Sequence, residues 1–544
     1  MSRLILNTIN QYTRQWGVLD WYGSHFSTLT NTKTKRISLG LAITLTLISY
    51  TLHKITTPPK ALRHIPHVPV WKLIYHFVIK QHNSPDMHEA LGKPYIKKGN
   101  GFYLLLDRCG WVIQVACPVA AKQVFFKGDV FPKIEGSAPK DTYLEQYCGN
   151  ENILFSNGHE WLKHRKIANS AFHRSMPVQL FGDSIKRLFK MWDNDHPSGV
   201  FTVDIQKIML RIALDTIGQA AFGFEFNALI DENSEWKKCY DVINEAGADP
   251  LFAIFPAFDQ KYRWLFPKRV EQFKTLYKFR DLLTKAIEEK RELFKQKKFD
   301  NTIRDSEKDL LTLMLESEYN GEGALTNEEI INDIAIFFVA GHDTSAYSLA
   351  SAIYYLSKHP DIQEKARQEV NSILCPNGEL NEDILPTYED TKKFQFVTQI
   401  IKETLRISPS VNFLVSPRSV ARDIDLNGTF VPEGSQLNIS IYGLHHNPFV
   451  WSNPDVFDPD RFSPGGEADQ KADNAIPWAP FSNGNRICPG YNFSLTQQRI
   501  ILASLLRKYE WTLPDNSMHK DKLKSRFSLI SINPDLYIDF KKRY

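Results

Sequence analysis

A ten-residue run near the carboxyl end constrains this chain more tightly than any other segment. Residues 481–490 have the sequence FSNGNRICPG. Five residues in it stand at the offsets of F-x-x-G-x-R-x-C-x-G, namely Phe481, Gly484, Arg486, Cys488 and Gly490. An apolar helical pattern follows over residues 493–506. A helix that starts just after the cysteine would place the positive end of its dipole near a thiolate.

Cys488 is the candidate axial ligand of a heme iron. A thiolate in that position donates electron density and favours cleavage of an O–O bond. Gly484 and Gly490 allow the backbone to approach a flat ligand closely. Phe481 can pack beside the sulfur, and Arg486 can reach an anionic group on the ligand. The alternative is a small buried hydrophobe, which is the usual role of a lone cysteine.

The rest of the composition narrows the class of protein. The chain has 544 residues, 42% of them hydrophobic, which is enough for a large globular core. Its 66 basic and 62 acidic residues leave a net charge of +4, so we expect no nucleic-acid partner. The other cysteines show no C-x-x-C pairing, which indicates a reducing compartment rather than a disulfide framework; they are Cys109, Cys117, Cys148, Cys239 and Cys375.

One segment near the amino terminus predicts a membrane anchor. Residues 37–52 carry no charge and are flanked by basic residues. As a helix they would cover roughly 24 Å, slightly short of the ~20 residues that usually span a bilayer. We expect a single transmembrane helix over residues 37–53, after a tail of residues 1–36; a surface helix is the alternative. Four Lys or Arg within twenty residues after the span, against three before it, favour a cytosolic catalytic part.

The remaining chain predicts a hinge and one large domain. Four prolines indicate a stiff connector over residues 54–70. Residues 71–544 then form the catalytic domain. Two hairpins are expected, around Asp107–Gly110 and at Asn427-Gly428, and most other segments have helical patterns. The predicted fold class is therefore mainly α with small β-sheets.

The longest predicted helix has a defined start and end. Thr326 and Glu329 form a capping box, and the pattern continues to Lys358, just before Pro360. The helix is apolar on nearly all sides, so it either spans a membrane or crosses a protein core. Charged residues inside the run favour the core.

The middle of this helix carries candidate catalytic residues. Gly341 costs ~1 kcal/mol in a helix interior, and close approach of a bulky cofactor would account for it. Thr344 can hydrogen-bond the carbonyl of Ala340 and loosen the helix there. Asp343 would supply protons that Thr344 relays, as in general-acid catalysis. The alternative is a kinked core helix with a satisfied threonine.

Two further groups of residues suggest support for such a site. Glu403 and Arg406 share one helical face; they form either a surface ion pair or, with Arg461, a buried triad that locks the cysteine loop. Trp161 and Arg165 place two donors one helical turn apart, which suits a heme propionate. A solvated helix face is the alternative for this second pair.

Together, these motifs and their order resemble the cytochrome P-450 superfamily of heme-thiolate monooxygenases over residues 55 to 544. The resemblance implies the P-450 fold, with Trp161 and Arg165 as heme contacts on the C helix. It implies that Gly341, Asp343 and Thr344 belong to the oxygen-activation motif. It implies the E-x-x-R triad for the three residues Glu403, Arg406 and Arg461, and a further propionate-binding arginine at Arg418.

The resemblance also implies function and location. It suggests a microsomal enzyme, anchored in the endoplasmic reticulum membrane by a single pass, with its catalytic domain in the cytosol. Electrons would come from a separate NADPH-cytochrome P-450 reductase, with cytochrome b5 as a further candidate donor. The substrates would be O2 and a lipophilic small molecule, with fatty acids or alkanes favoured. A heme-thiolate isomerase or peroxygenase and a non-catalytic heme-binding sensor are the alternatives.

Overall fold

The structure is a computed structural model. It describes residues 32–544 except 81–83, 108–109, 135, 137, 224, 232–233, 248, 250, 253–254, 297–303, 322, 377, 379–382 and 527–529. Residues 1–31 of the predicted tail, together with Cys109, lie outside the described residues. The chain divides into two compact units, which meet between Lys60 and Ala61.

The first unit contains helix α1, Thr32–Thr56. In the described part of the chain, one segment is long and apolar enough to cross a membrane, by its length and composition: Ile37–Leu62, with 26 residues. The predicted anchor, residues 37–53, lies within it. Threonine hydroxyls in α1 donate to carbonyls four residues earlier, which satisfies them inside the helix; these are Thr44, Thr46, Thr51 and Thr56.

The second unit is mainly helical, as predicted. Its α-helices are α2 Val70–Ile74, α3 Ser84–Met87, α4 Lys93–Lys98, α5 Pro118–Phe126, α6 Tyr143–Cys148, α7 Gly158–Arg174, α8 Val178–Asp195, α9 Ile205–Phe222, α10 Glu235–Gly247, α11 Ala257–Gln260, α12 Pro267–Lys295, α13 Leu310–Tyr319, α14 Asn327–Lys358, α15 Pro360–Leu374, α16 Tyr388–Lys393, α17 Gln395–Ile407, α18 Ile441–His445, α19 Glu467–Lys471 and α20 Tyr491–Lys508. Two π-helical turns, Tyr75–Ile79 and His88–Gly92, follow α2 and α3.

The strands form small sheets. They are β1 Phe102–Asp107, β2 Gly110–Val115, β3 Val200–Asp204, β4 Arg418–Ser419, β5 Ile424–Leu426, β6 Thr429–Val431, β7 Gln436–Ile439, β8 Tyr509–Thr512 and β9 Tyr537–Lys542. The sheets have the orders β1-β2-β7-β4, β3-β9-β8 and β5-β6. Only the β2–β7 pairing is parallel among these named strands.

Both hairpins predicted from turn chemistry are confirmed. β1 pairs with β2 from Phe102–Val115 to Asp107–Gly110. β5 and β6 flank Asn427 and Gly428, whose φ angles are 51° and 84°. Two successive positive φ angles are the signature of a tight hairpin turn that Asn-Gly favours.

Helix α14 organises the core. The capping box at Thr326 and Glu329 is present, and the 32-residue helix ends at Lys358. Its first half packs in a cluster with α6, α7, α9, α10, α12 and α13 that reaches Phe338. Its second half packs in another cluster with α8, α9, α15, α17 and α20 that begins at Ala346. The predicted catalytic turn, Ala340–Thr344, therefore lies between the two clusters.

Candidate active site

The cysteine loop is closed by its own backbone. The Cys488 N–H donates to the carbonyl oxygen of Phe481 at 2.9 Å. Gly484 has φ 64°, and a Cβ on it would lie 2.4 Å from the carbonyl oxygen of Phe125. Only glycine fits there. Helix α20 begins at Tyr491, so the predicted helix start just after the cysteine is confirmed.

Cys488 is partly exposed as a residue. Burial of its surroundings raises the pKa of the thiol, whereas the Gly490 N–H and the charge of Arg165 lower that pKa. A metal bound to the sulfur as a thiolate would lower it further. A Cβ on Gly490 would be 3.7 Å from the Phe172 ring and 3.8 Å from the sulfur, which is ordinary contact. These neighbours therefore leave room for a side chain at position 490. If glycine is required there, the reason is the space that the ligand needs.

Four cationic side chains gather beside the loop. The predicted Arg165, Arg418 and Arg486 are joined by Lys133, which bridges Arg418 through the backbone. Burial lowers the pKa of Lys133 well below its usual value, and the three arginines add to this by repulsion. Among the described residues, no carboxylate compensates the charges of the three arginines.

Two of these arginines keep unused donors. Arg486 donates through Nη2 to the carbonyl oxygen of Ser156 at 2.8 Å. Among the residues that the structure describes, neither its buried Nη1 nor the buried Nε of Arg418 has a hydrogen-bond partner. Burial lowers the pKa of Arg486 to about 9 and that of Arg418 to about 10. Buried charges need a partner, so this donor set fits the two propionate carboxylates of a heme.

Trp161 and Arg165 lie at the loop, as the spacing on α7 suggests. Arg165 donates through Nη1 to the carbonyl oxygen of Ile487 at 2.6 Å. The guanidinium of Arg486 stacks 3.9 Å over the Trp161 ring. The two residues of α7 therefore hold the loop in place, and Arg165 also adds its charge to the cationic group.

Phe481 covers one side of the loop. Its ring packs edge-on against Tyr491 at 4.8 Å and lies 6.4 Å from the ring of Trp478. These rings supply apolar cover to the cysteine loop, in line with the expected role of Phe481.

The accessible turn of α14 carries Thr344. Ala340 is exposed, although the helix is buried before and after it. The Thr344 hydroxyl donates to the carbonyl oxygen of Ala340, as predicted. Ser410 donates to the carbonyl oxygen of Thr344 at 2.8 Å. Ser345 connects α14 to α20, the helix that follows the cysteine loop: its hydroxyl lies 3.4 Å from that of Ser494.

Gly341 has a close neighbour on α9. A Cβ at this position would lie 2.8 Å from Cδ1 of Ile217 on α9. Packing between α9 and α14 is thus a second reason for a small residue here, and the approach of a cofactor to Gly341 stays a prediction. The sequence could not distinguish these causes, since both require a small residue in a helix interior.

Asp343 is buried, and both of its carboxylate oxygens lie close to nitrogen atoms of other side chains. Its Oδ1 lies 2.8 Å from Nδ1 of His342. Its Oδ2 accepts a hydrogen bond of 3.2 Å from Asn244 on α10. The structure therefore holds this carboxylate beside α10, one residue away in sequence from the Thr344 hydroxyl.

Glu403, Arg406 and Arg461 form a buried group, so the surface alternative is excluded. Arg406 donates from Nε and Nη2 to the two carboxylate oxygens of Glu403, at 2.7 and 2.8 Å. Arg461 Nε lies 3.5 Å from Glu403 Oε1. Arg461 also pairs with Glu467. Burial raises the pKa of Glu403, and the charges of the two arginines lower it.

Hydrogen bonds connect this group to the cysteine loop. Arg406 Nη1 donates to the carbonyl oxygen of His445 at 2.9 Å. The Ala479 N–H, two residues before Phe481, donates to Nε2 of His445 at 2.9 Å. Trp478 donates to the carbonyl oxygen of Lys402, next to Glu403 in the chain, at 3.1 Å.

Comparison with known proteins identifies the family. The profile of the family described as "Cytochrome P450" matches residues 66–540. The chain belongs to the cytochrome P450 family. It is 31% identical to cytochrome P450 4c21 of Blattella germanica, with 70% of this chain and 74% of the relative covered.

Other relatives agree. The identity is 29% to cytochrome P450 4F2 of Homo sapiens, over 71% of this chain and 74% of that one. It is also 29% to leukotriene-B4 omega-hydroxylase 3 of Mus musculus, over 74% of each. A crystal structure of the cytochrome P450DA heme domain superimposes with a TM-score of 0.72 at 21% identity, covering 88% of this chain and 98% of that one. That likeness shows the fold.

Membership of the cytochrome P450 family establishes the reaction class and the cofactor. This P450 is an oxidoreductase of the monooxygenase class with a heme-thiolate cofactor. The cationic group beside the cysteine loop is consistent with that cofactor.

Sequence reasoning missed several residues of this P450's site. Lys133 lies in a loop with no motif, and Asn157 bonds both its backbone and Arg486. His164, inside the Trp161–Arg165 segment, pairs with the buried Asp333 of α14 at 2.7 Å. The partners in these contacts are far apart in the sequence. Only Asp333, an acidic residue inside an apolar helix, could have indicated that a buried partner lies nearby.

Proposed function

We propose that this P450 is a membrane-anchored monooxygenase that hydroxylates a lipophilic substrate of the fatty-acid or alkane class. Its electrons would come from NADPH-cytochrome P-450 reductase, with cytochrome b5 as a second donor. The observation that carries the proposal is Cys488 in a loop lined by uncompensated cations, next to a helix whose accessible turn presents Thr344.

Cys488 would bind the heme iron through its thiolate. Arg165, Arg418 and Arg486, with Lys133, would hold the propionates, and Trp161 would fix Arg486 by stacking. When bound, the heme supplies the one-electron chemistry that activates O2. The protein has to keep this ligand oriented, because an error of 1 Å can cost about a hundredfold in rate.

Asp343 and Thr344 would deliver protons. The Thr344 hydroxyl can pass a proton on, since an O–H both donates and accepts. Its hydrogen bond to Ala340 keeps it on the accessible turn of the helix. Asp343, next in the chain, is the nearest acid in sequence, and its burial shields it from bulk water. A peroxide-using enzyme or an isomerase would not need this pair.

The proposed substrate class rests on one observation. One relative is named as a leukotriene-B4 omega-hydroxylase, and leukotriene B4 is a lipophilic acid.

A titration tests the substrate class. The heme-loaded protein is mixed with long-chain fatty acids, alkanes, sterols and small aromatics, and the absorbance shift of the heme is recorded. Fatty acids or alkanes should shift the spectrum and be hydroxylated only when NADPH and the reductase are present. Shifts confined to sterols or aromatics would overturn the substrate class, and turnover without reductase would overturn the electron source.

We also propose the domain layout and location. Residues 1–36 would be a tail, 37–53 the anchor, 54–70 the hinge and 71–544 a cytosolic catalytic domain at the endoplasmic reticulum. Exposed apolar side chains support additional contact with lipid, in two segments: Trp71, Ile74, Phe77 and Ile79, then Phe255, Trp264 and Leu265. Phe252, just before the second segment, is buried.

Protease protection tests this topology. In sealed microsomes, added protease should degrade the catalytic domain while the vesicles stay intact, and carbonate washing should leave the chain in the membrane. A catalytic domain protected until detergent is added would contradict the cytosolic orientation.

A further inference from the structure

A surface cavity of about 630 Å³ lies between α8, β3, α9 and the turn that follows α9. Pockets of roughly 300–1,000 Å³ hold small-molecule ligands in proteins. Among the residues that the structure describes, those lining this cavity include none from the cysteine loop and none from the accessible turn of α14. The proposed monooxygenase reaction therefore gives it no role. We call it the α8–α9 cavity.

Apolar side chains line part of the α8–α9 cavity. Met191, Val203 and Ile208 lie in its wall and pack against the core. Ile230 also lines it, with 66% of its surface exposed. An apolar group that covered these side chains would be stabilised in proportion to the area taken out of water. This part of the wall therefore suits the hydrocarbon part of a ligand.

The turn that carries Ile230 is fixed from α9. Arg211 donates from Nε to the carbonyl oxygen of Ala228 at 2.8 Å, and from Nη2 to that of Leu229. Asp215 accepts from the N–H groups of Ala228 and Leu229, at 2.6 and 3.0 Å. Because these bonds hold the turn in place, a ligand that packs on Ile230 needs little ordering of the chain.

The lining also carries positive charge, from Arg187 and Lys190 on α8. Neither forms a salt bridge with another residue in the described part of the chain. Burial raises the pKa of Asp215, and the charge of Arg187 opposes this rise, but both oxygens of that carboxylate already accept backbone N–H groups. One carboxylate, Asp195, is among the lining residues. The two cations of α8 are thus available to an anionic group.

Trp192 gives a further indication of the ligand. It lines the cavity with 1% of its surface exposed. Its indole N–H has no acceptor among the residues that the structure describes. A buried donor without an acceptor destabilises the folded protein. A ligand with acceptor oxygens therefore matches this donor as well as the two cations.

We infer that the α8–α9 cavity is a second ligand site, which binds a single-chain lipophilic anion such as a long-chain carboxylate. Arg187 and Lys190 bind the carboxylate, and Met191 and Ile230 contact the chain. The volume suits one chain rather than the two chains and head group of a membrane phospholipid. The inference is independent of the proposed function, because the site contains no residue assigned to heme or to proton delivery.

Photolabelling of the heme-loaded full chain tests the site. The chain is placed in lipid nanodiscs of neutral phosphatidylcholine and irradiated with a dodecanoate that carries a diazirine. Mass spectrometry then locates the labelled peptides. We expect labelling within α8 and at the turn around Ile230. Unlabelled dodecanoate should displace the probe, and dodecanol at the same concentration should not, because dodecanol lacks the charge.

Three variants and a matched control sharpen the test. The double variant Arg187→Gln/Lys190→Gln should lower labelling at limiting probe about 10- to 100-fold, the effect of a lost charge-assisted hydrogen bond. Ile230→Glu should lower it at least as much, because a carboxylate would then face the anion. Lys190 and Ile230 are exposed, so Lys190→Gln alone and I230E keep the test valid if the double variant does not fold. Lys186→Gln, an exposed lysine of α8 that is not among the lining residues, should label like the parent.

Three results would overturn the inference. The first is equal displacement by dodecanol and dodecanoate, and the second is unchanged labelling in K190Q and I230E. The third is loss of labelling when phosphatidylserine is added to the nanodiscs, which would assign the cavity to a membrane lipid. The heme absorbance is recorded in the same samples. Labelling without a heme shift would contradict the proposed substrate class and leave the α8–α9 site standing.

Discussion

Arg418 shows how a single residue prepares the site. It lies on β4 with 6% of its surface exposed, and its Nε has no partner among the described residues. Burial alone lowers the pKa of its guanidinium to about 10. A buried charge without a partner destabilises the folded protein until an anion binds. Arg418 therefore lowers the stability of the protein without its ligand and can bind a carboxylate.

Arg418→Gln should therefore weaken heme retention. A lost charge-assisted hydrogen bond of ~1.5–3 kcal/mol corresponds to roughly 10- to 100-fold faster heme loss. Transfer of heme to an excess of an apo-protein acceptor measures this rate. Arg422→Gln, an exposed arginine four residues on, is the control and should leave the rate unchanged. Equal rates for both variants would contradict the role assigned to Arg418.

At the scale of elements, α17 holds the cysteine loop through a buried ion pair. Glu403 and Arg406 are both fully buried, and Arg406 also donates to the carbonyls of His445, Pro454 and Val456. Removing one partner of such a pair leaves an uncompensated charge, which typically costs 3–5 kcal/mol. The strength of this contact thus depends on both partners together.

Glu403→Gln should destabilise the protein by about 3 kcal/mol or more and reduce the heme content of the purified chain. Differential scanning calorimetry and the heme-to-protein absorbance ratio measure the two effects. Glu271→Gln breaks an exposed ion pair of the same i,i+3 spacing on α12 and should change neither. A normal heme content in the Glu403 variant would show that the pair does not support the loop.

Helix starts and turns that depend on neighbouring residues could be predicted from the sequence. Contacts between segments far apart in the chain could not. The capping box at Thr326 predicted the start of α14, and Asn427-Gly428 predicted the β5–β6 turn, because both signals depend on neighbouring residues. Lys133 and Asn244 carry no local signal, because they reach the site through contacts with distant segments. The contact of Gly341 with Ile217 could not be predicted for the same reason, since Ile217 lies on another helix.

For the molecule as a whole, buried histidines set the response to acid. Burial lowers the pKa of His445 to about 3 and that of His88 to about 3, against 6.5 for a free histidine. Both stay neutral in the folded protein, whereas the unfolded chain binds a proton on each below about pH 6.5. The unfolded state then holds more protons, so stability falls as the pH drops from about 6.5 towards 3.

His445→Gln should flatten this dependence. Its amide oxygen can still accept from Ala479, but one titrating group is lost, which removes up to ~1.4 kcal/mol of stability change per pH unit in that range. Unfolding midpoints between pH 7 and pH 4.5 give the slope. His173→Gln changes an exposed histidine and should keep the slope of the parent. An unchanged slope in H445Q would mean that His445 is protonated in the folded state.

We propose that Cys488 binds the heme iron as a thiolate. The most direct test is the difference spectrum of the reduced protein with and without carbon monoxide. The full chain should show the red-shifted absorption band of a thiolate-ligated heme, Cys375→Ala should retain it, and Cys488→Ala should lose it. Persistence of that band in C488A, or its absence from a parent protein that carries heme in full, would contradict ligation of the iron by Cys488.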